Sequence, residues 1–154
     1  MSSNETTAEL AAFFESYRLA FERMDATAIA EHYAFPMQST IDTGKIVLTP
    51  VSSIAELSSQ LERLLAMYRV IEVGSARVLK LSIAEFSPRL AQVLVEWELR
   101  NRREESLYAF EATYTVAKIN GKLRISGVAH NEITHYRECH ARLQSVASGT
   151  QPQG

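Results

Sequence analysis

The sequence predicts an α+β domain, with helices laid on one face of a curved antiparallel sheet. Three observations carry that expectation. Apolar residues recur at helical steps as far as Tyr68, the period changes to two from Ile71 onward, and Asn120-Gly121 is the strongest hairpin signal in the chain.

Thr6-Thr7-Ala8-Glu9 has capping-box spacing, so a Thr hydroxyl and a Glu carboxylate can satisfy the first helix N–H groups. Leu10, Phe14, Tyr17, Phe21 and Met24 follow at steps of four and three, which predicts a helix over about 7–24 with one apolar face. Asp25 can cap a second helix, over 26–33, that buries Ile29 and Tyr33, and Pro36 stops it. MQSTID-TG-KIVL is short, rich in β-branched residues and broken at Asp42-Thr43-Gly44, the pattern of a small hairpin. Ser53-Ile54-Ala55-Glu56 is a second capping box. It opens a helix to about Tyr68 whose inner face holds Ile54, Leu57, Leu61, Leu64 and Tyr68. Beyond it, Val93, Val95, Trp97 and Leu99 alternate with Leu94, Glu96, Glu98 and Arg100, and Tyr108, Phe110, Ala112, Tyr114 and Val116 alternate in the same way. Four long antiparallel strands are therefore expected over 71–86, 90–103, 107–118 and 122–131. The single domain spans 5–144, with flexible ends at 1–4 and at 145–154, where SVASGTQPQG is small and polar.

Bulk properties exclude several classes. A length of 154 residues suits one domain with a core of its own, and 46% apolar with 22% charged residues is ordinary for a globular protein. The net charge of −2 offers no basic field for nucleic acid or an anionic membrane. No apolar stretch approaches the roughly 20 residues needed to span a bilayer. MSSNETTAEL shows no signal-peptide pattern, and the lone Cys139 makes no internal disulfide, so a cytoplasmic setting is expected.

The stretch HNEITHYRECH, 130–140, holds three of the four histidines and the only cysteine. Zinc needs three or four converging ligands. Here His130 and His135 are five apart, about 140° around a helix, and His135 with Cys139 makes only a pair. No metal and no cofactor are expected. His130, at the end of the last strand, remains a candidate for proton transfer near neutral pH, or else a surface histidine.

The order of elements, with FFESYRLAFERMDATAIAEHYA, the STIDTG hairpin and the closing ING-KLRISGVAHNE strand, resembles the nuclear-transport-factor-2-like superfamily. That superfamily includes SnoaL-like polyketide cyclases and ketosteroid isomerases. The resemblance covers roughly residues 7–135. It implies a cone-like, cystatin-like α+β roll, with three helices on the concave face of the sheet around a pocket, and a homodimer joined through the outer face. Leu94, outward among Glu96, Glu98 and Arg100, suits such an interface. By the same resemblance, Tyr17 would stabilise an enolate oxygen and Asp42 would act as base, with His130 as the other possible base. Phe14, Tyr33, Trp97 and Phe110 would line the pocket. Each has a plainer account: Tyr17 fits the core stripe, and Asp before Thr-Gly is ordinary turn chemistry. The second Asp of the isomerases has no counterpart, since the chain holds only Asp25 and Asp42. The resulting expectation is a pocket for a small apolar carbonyl compound, with cofactor-free proton transfer of isomerase or cyclase type. A binding or interaction domain without catalysis is the alternative.

Overall fold

The computed structural model describes residues 3–147. In chain order they form α1 (Ser3–Glu22), α2 (Ala26–Ala30), β1 (Tyr33–Asp42), β2 (Ile46–Val51), α3 (Ile54–Val70), β3 (Val73–Ser87), β4 (Leu90–Asn101), β5 (Ser106–Ile119), β6 (Lys122–His130) and α4 (Glu132–Ala147). The six strands make one curved sheet in the order β2-β1-β6-β5-β4-β3. All neighbours are antiparallel except β1 and β6, which run parallel because α3 and the β3–β5 meander intervene between them.

Helix α1 buries Leu10, Phe14, Tyr17 and Ala20 along one stripe. It starts earlier than the Thr6 capping box suggests. The chain is already helical at Ser3, Glu5 lies in the favourable first turn, and the buried Thr6 hydroxyl has no hydrogen-bond partner among the described residues. Asp25 does cap α2, accepting from Ala28 N at 3.0 Å. That helix ends at Ala30, short of the expected 33, because Tyr33 already pairs with Ile125 of β6. Pro36 then falls where the β1–β6 register shifts, a place where its missing N–H costs no ladder bond.

At the head of α3, Ser53 Oγ accepts from Glu56 N and Glu56 Oε2 accepts from Ser52 N, a reciprocal cap. Leu57, Leu61, Leu65 and Tyr68 are its buried residues, while Ile54, expected inside, is exposed at the first turn. Asn120 and Gly121 both take positive φ, 51° and 78°, as the tight β5–β6 hairpin demands. The inner face of the sheet carries Val93, Val95, Trp97 and Leu99 from β4 and Tyr108, Phe110, Ala112, Tyr114 and Val116 from β5, all buried.

A fourth helix exceeds the expected three. In α4 only Glu132, Tyr136 and Cys139 are buried, a stripe too narrow and too polar to announce a helix of 16 residues. Tyr136 donates its hydroxyl proton to Met67 O, and Arg142 donates to Leu107 O, which fastens α4 to α3 and to β5. Of the ends expected to be flexible, 3–4 belong to α1 and 145–147 to α4; residues 1–2 and 148–154 lie outside the described residues. No helix among the described residues is long and apolar enough to cross a membrane.

Candidate functional site

Between the helices and the inner face of the sheet lies a cavity of about 280 Å³. That is near the lower bound of ligand-sized pockets, about 300 Å³. Its walls come from α1 (Tyr17, Phe21), β1 (Tyr33, Met37), α3 (Leu57, Leu61, Tyr68), β4 (Trp97, Leu99) and β5 (Phe110, Ala112, Tyr114). Val128, His130 and Glu132 reach it from β6 and the start of α4. These three alternate with period two, so the strand's inward row runs on into the first helical residue.

Two polar groups stand in the apolar wall. In the first, the Tyr17 and Tyr33 hydroxyls share a hydrogen bond of 2.7 Å. Beside them Tyr114 Oη accepts from Trp97 Nε1 at 3.0 Å, which leaves its own proton to donate elsewhere. Burial, reinforced by neighbouring phenols, pushes Tyr17 and Tyr114 well above the ordinary phenol range, and burial pushes Tyr33 up to about 12. All three are neutral hydroxyls at physiological pH. They are hydrogen-bond donors, not bases.

The second group is built on Glu132, which is 3% exposed. Its Oε2 accepts from Tyr68 Oη at 2.5 Å and from Tyr108 Oη at 2.8 Å; neither tyrosine engages Oε1. Burial raises the Glu132 carboxyl to about 7, and the two phenol hydrogen bonds hold it from rising further. Next to it, Glu132 N donates to His130 Nδ1 at 3.2 Å. With Nδ1 accepting, the imidazole carries its proton on Nε2. Burial lowers its pKa to about 4, so His130 is neutral near pH 7. The Glu132 charge also raises the Tyr114 pKa, which puts the two polar groups within electrostatic reach of each other.

Of the residues singled out from the sequence, Tyr17, Tyr33, Trp97, Phe110 and His130 line this cavity together. Phe14 does not. It is 1% exposed and packs edge-on behind Tyr17 and against Tyr114. Asp42 is elsewhere altogether: it is exposed in the β1–β2 turn, and its Oδ1 accepts from Gly44 N at 3.0 Å. The pairing of Asp42 with Tyr17 is therefore corrected, and the turn-chemistry account of Asp42 is the one that fits. Glu132, Tyr68, Tyr108 and Tyr114 were not singled out. Tyr108 and Tyr114 share the buried parity of β5 with Phe110. Glu132 follows Val128 and His130 at the same parity, and that was the available signal. The remaining histidines are dispersed: His32 bonds Ser16 and Ala28 O, and His140 stacks on Tyr136. Among the described residues no three His, Cys, Asp or Glu side chains gather as a metal site.

A curved sheet with helices closing a pocket on its inner face defines an α+β class shared by many solved structures. The family model described as NTF2-like protein (DUF6841) matches residues 8–133, and the chain belongs to this NTF2-like family. An NTF-2 like protein of unknown function from Shewanella oneidensis is similar in structure, with TM-score 0.65 at 16% identity, over 82% of this chain and 98% of that one. Aln2 from a Streptomyces species superposes with TM-score 0.66 at 12% identity, over 85% and 93%. A putative calcium/calmodulin dependent protein kinase II association domain from Xanthomonas campestris gives 0.58 at 16%, over 80% and 84%. At such identities the likeness concerns the fold. No curated protein sequence matches the chain.

Proposed function

We propose that the chain is a small-molecule pocket protein in which Glu132 transfers protons, without a cofactor, on an apolar carbonyl compound. One observation carries the reading: a single buried carboxyl with a pKa near 7 lines an apolar cavity that also presents neutral phenol donors. In this reading Glu132 Oε1 takes a proton from the carbon next to the carbonyl. The C–H electron pair moves into the new C=C bond, and charge develops on the carbonyl oxygen. Tyr114 and the Tyr17–Tyr33 pair donate to that oxygen, and His130 Nε2–H is a further donor. Returning the proton to a different carbon completes an isomerisation; attack of the enolate on a second carbonyl of the same molecule completes a cyclisation. Asp42 has no part in it.

The test is hydrogen–deuterium exchange, followed by NMR, at carbons next to the carbonyl of a panel of cyclic ketones in D₂O. Exchange above the buffer rate is expected, falling about a hundredfold or more in Glu132→Gln, the range typical of a lost general base. A wild-type rate equal to buffer across the panel would leave a binding protein without catalysis.

The reading extends to a homodimer formed through the outer face of the sheet. Leu94 faces outward there, 39% exposed between Ser82 and Thr113. The similarity to an association domain agrees with assembly. Sedimentation should give twice the 17.3 kDa chain mass at micromolar concentration, and a pure monomer would reject the dimer.

A further inference from the structure

We infer that the ligand is amphipathic: an apolar, carbonyl-bearing body inside the cavity and one anionic head group, of carboxylate or sulfonate type, held at the mouth by Arg63. The inference rests on the pocket reading above and adds the chemical class of the occupant.

The interior of the cavity has no place for a ligand's charge. Its titratable groups are phenols, one imidazole and one carboxyl, each displaced by burial toward its neutral form. The same loss of water acts on anything bound beside them. A charged group must therefore sit where the cavity meets solvent. Arg63 and Gly74, both exposed, stand in the lining and mark that opening.

The sign of the charge follows from what is already paired. The lining also holds the half-buried Glu22. Its Oε2 accepts from Arg18 Nη1 at 2.7 Å and from Ala76 N at 2.9 Å, so it is committed to holding α1 against β3. Arg63 is the one lysine or arginine in the lining, and it has no ion-pair partner among the described residues. On α3 it lies three residues after Gln60 and four before Met67, both of which line the cavity too. That spacing sets the three on one ridge along the opening. A guanidinium offers a planar fork of donors that matches the paired oxygens of a carboxylate or sulfonate, with the Gln60 amide one turn away.

Two naphthyl probes of similar size test this: anilinonaphthalene sulfonate, which is anionic, and phenylnaphthylamine, which is neutral. Binding is followed by energy transfer from Trp97, the sole tryptophan, which lines the cavity. The sulfonate should bind more tightly than the amine, and Arg63→Gln should weaken it about two- to fivefold while leaving the amine unchanged. Added salt should weaken the sulfonate alone. Equal effects of Arg63→Gln on both probes, or no effect on the sulfonate, would overturn the anionic head group while leaving the pocket standing. Failure of both probes to bind the wild type would remove the pocket reading, and this inference with it.

Discussion

Burial displaces two groups only two residues apart in opposite senses on the pH axis. Glu132, at about 7, keeps its proton in the folded state to a higher pH than in the unfolded chain, where a carboxyl titrates near 4.5. Its contribution is full below about 4.5 and is lost as pH rises through 7; the whole loss is about 3 kcal/mol. His130, lowered to about 4 from 6.5, behaves inversely and loses its contribution as pH falls through 4. Between roughly pH 4.5 and 6.5 the slopes oppose each other, so wild-type stability from urea unfolding should be nearly flat there. Glu132→Gln should unmask a stability that rises with pH, and His130→Gln one that falls. Parallel slopes in the two variants would show that burial is not what sets these pKa values. At this scale the sequence was readable wherever parity was. Parity and helical spacing told which side chains face inward; Tyr17, Tyr33, Trp97, Phe110 and His130 line the cavity, whereas Phe14 packs behind Tyr17. Asp42 was misleading because an Asp–Thr–Gly turn satisfies its carboxylate locally, with no need of a partner from α1. Glu132 was hidden because an acid in HNEITH reads as the solvated start of a helix unless the β6 parity is carried across the junction.

Elements with a wide apolar stripe or an unbroken alternation were legible to within a few residues. β3 to β6 begin and end close to the expected positions; β4 and β5 place a full row of side chains in the core, while β3 buries only Ser75 and Ala76 and β6 only Ile125. Boundaries failed where tertiary pairing overrode a local signal, as where Tyr33 leaves α2 for β1. α4 lies beyond the three expected helices, and hydrogen bonds from Tyr136, Arg137 and Arg142, rather than a broad apolar face, fasten it. One close approach between elements has no sequence signature at all. At Gly74, near the start of β3, an added Cβ would come within 2.9 Å of Arg102 Cα and 3.0 Å of Asn101 O, both backbone atoms that cannot swing aside. Gly74→Ala should therefore cost about 1–3 kcal/mol through displacement of the β3–β4 end. Thermal unfolding measures this, with Gly44→Ala as the contrast: Gly44 has open space around it and only its φ of 105° to strain. A Gly74→Ala protein as stable as wild type would mean that the two strand ends separate without loss.

At the scale of the molecule, sequence periodicity tells which side chains point inward but not whether they fill the space they enclose. The layered architecture was therefore legible, while the cavity rested on resemblance. Among the described residues thirty apolar ones are buried, yet Ala112, at the centre of β5's inward row, faces a space that larger neighbours leave open. A void of this kind is a site where packing atoms are missing, and filling it recovers dispersion contacts. Ala112→Leu should accordingly raise stability by about 1 kcal/mol, a shift of roughly 2–4 °C in Tm for a chain of this size. It should also abolish phenylnaphthylamine binding, because the new side chain occupies the space between Phe110 and Tyr114 that the ligand would use. A protein whose core were merely packed would respond oppositely: the added carbons would overpack it and lower Tm. Lower stability together with retained probe binding would mean that the space around Ala112 is not the ligand's, and that an open pocket is not what this fold keeps at the expense of a tighter core.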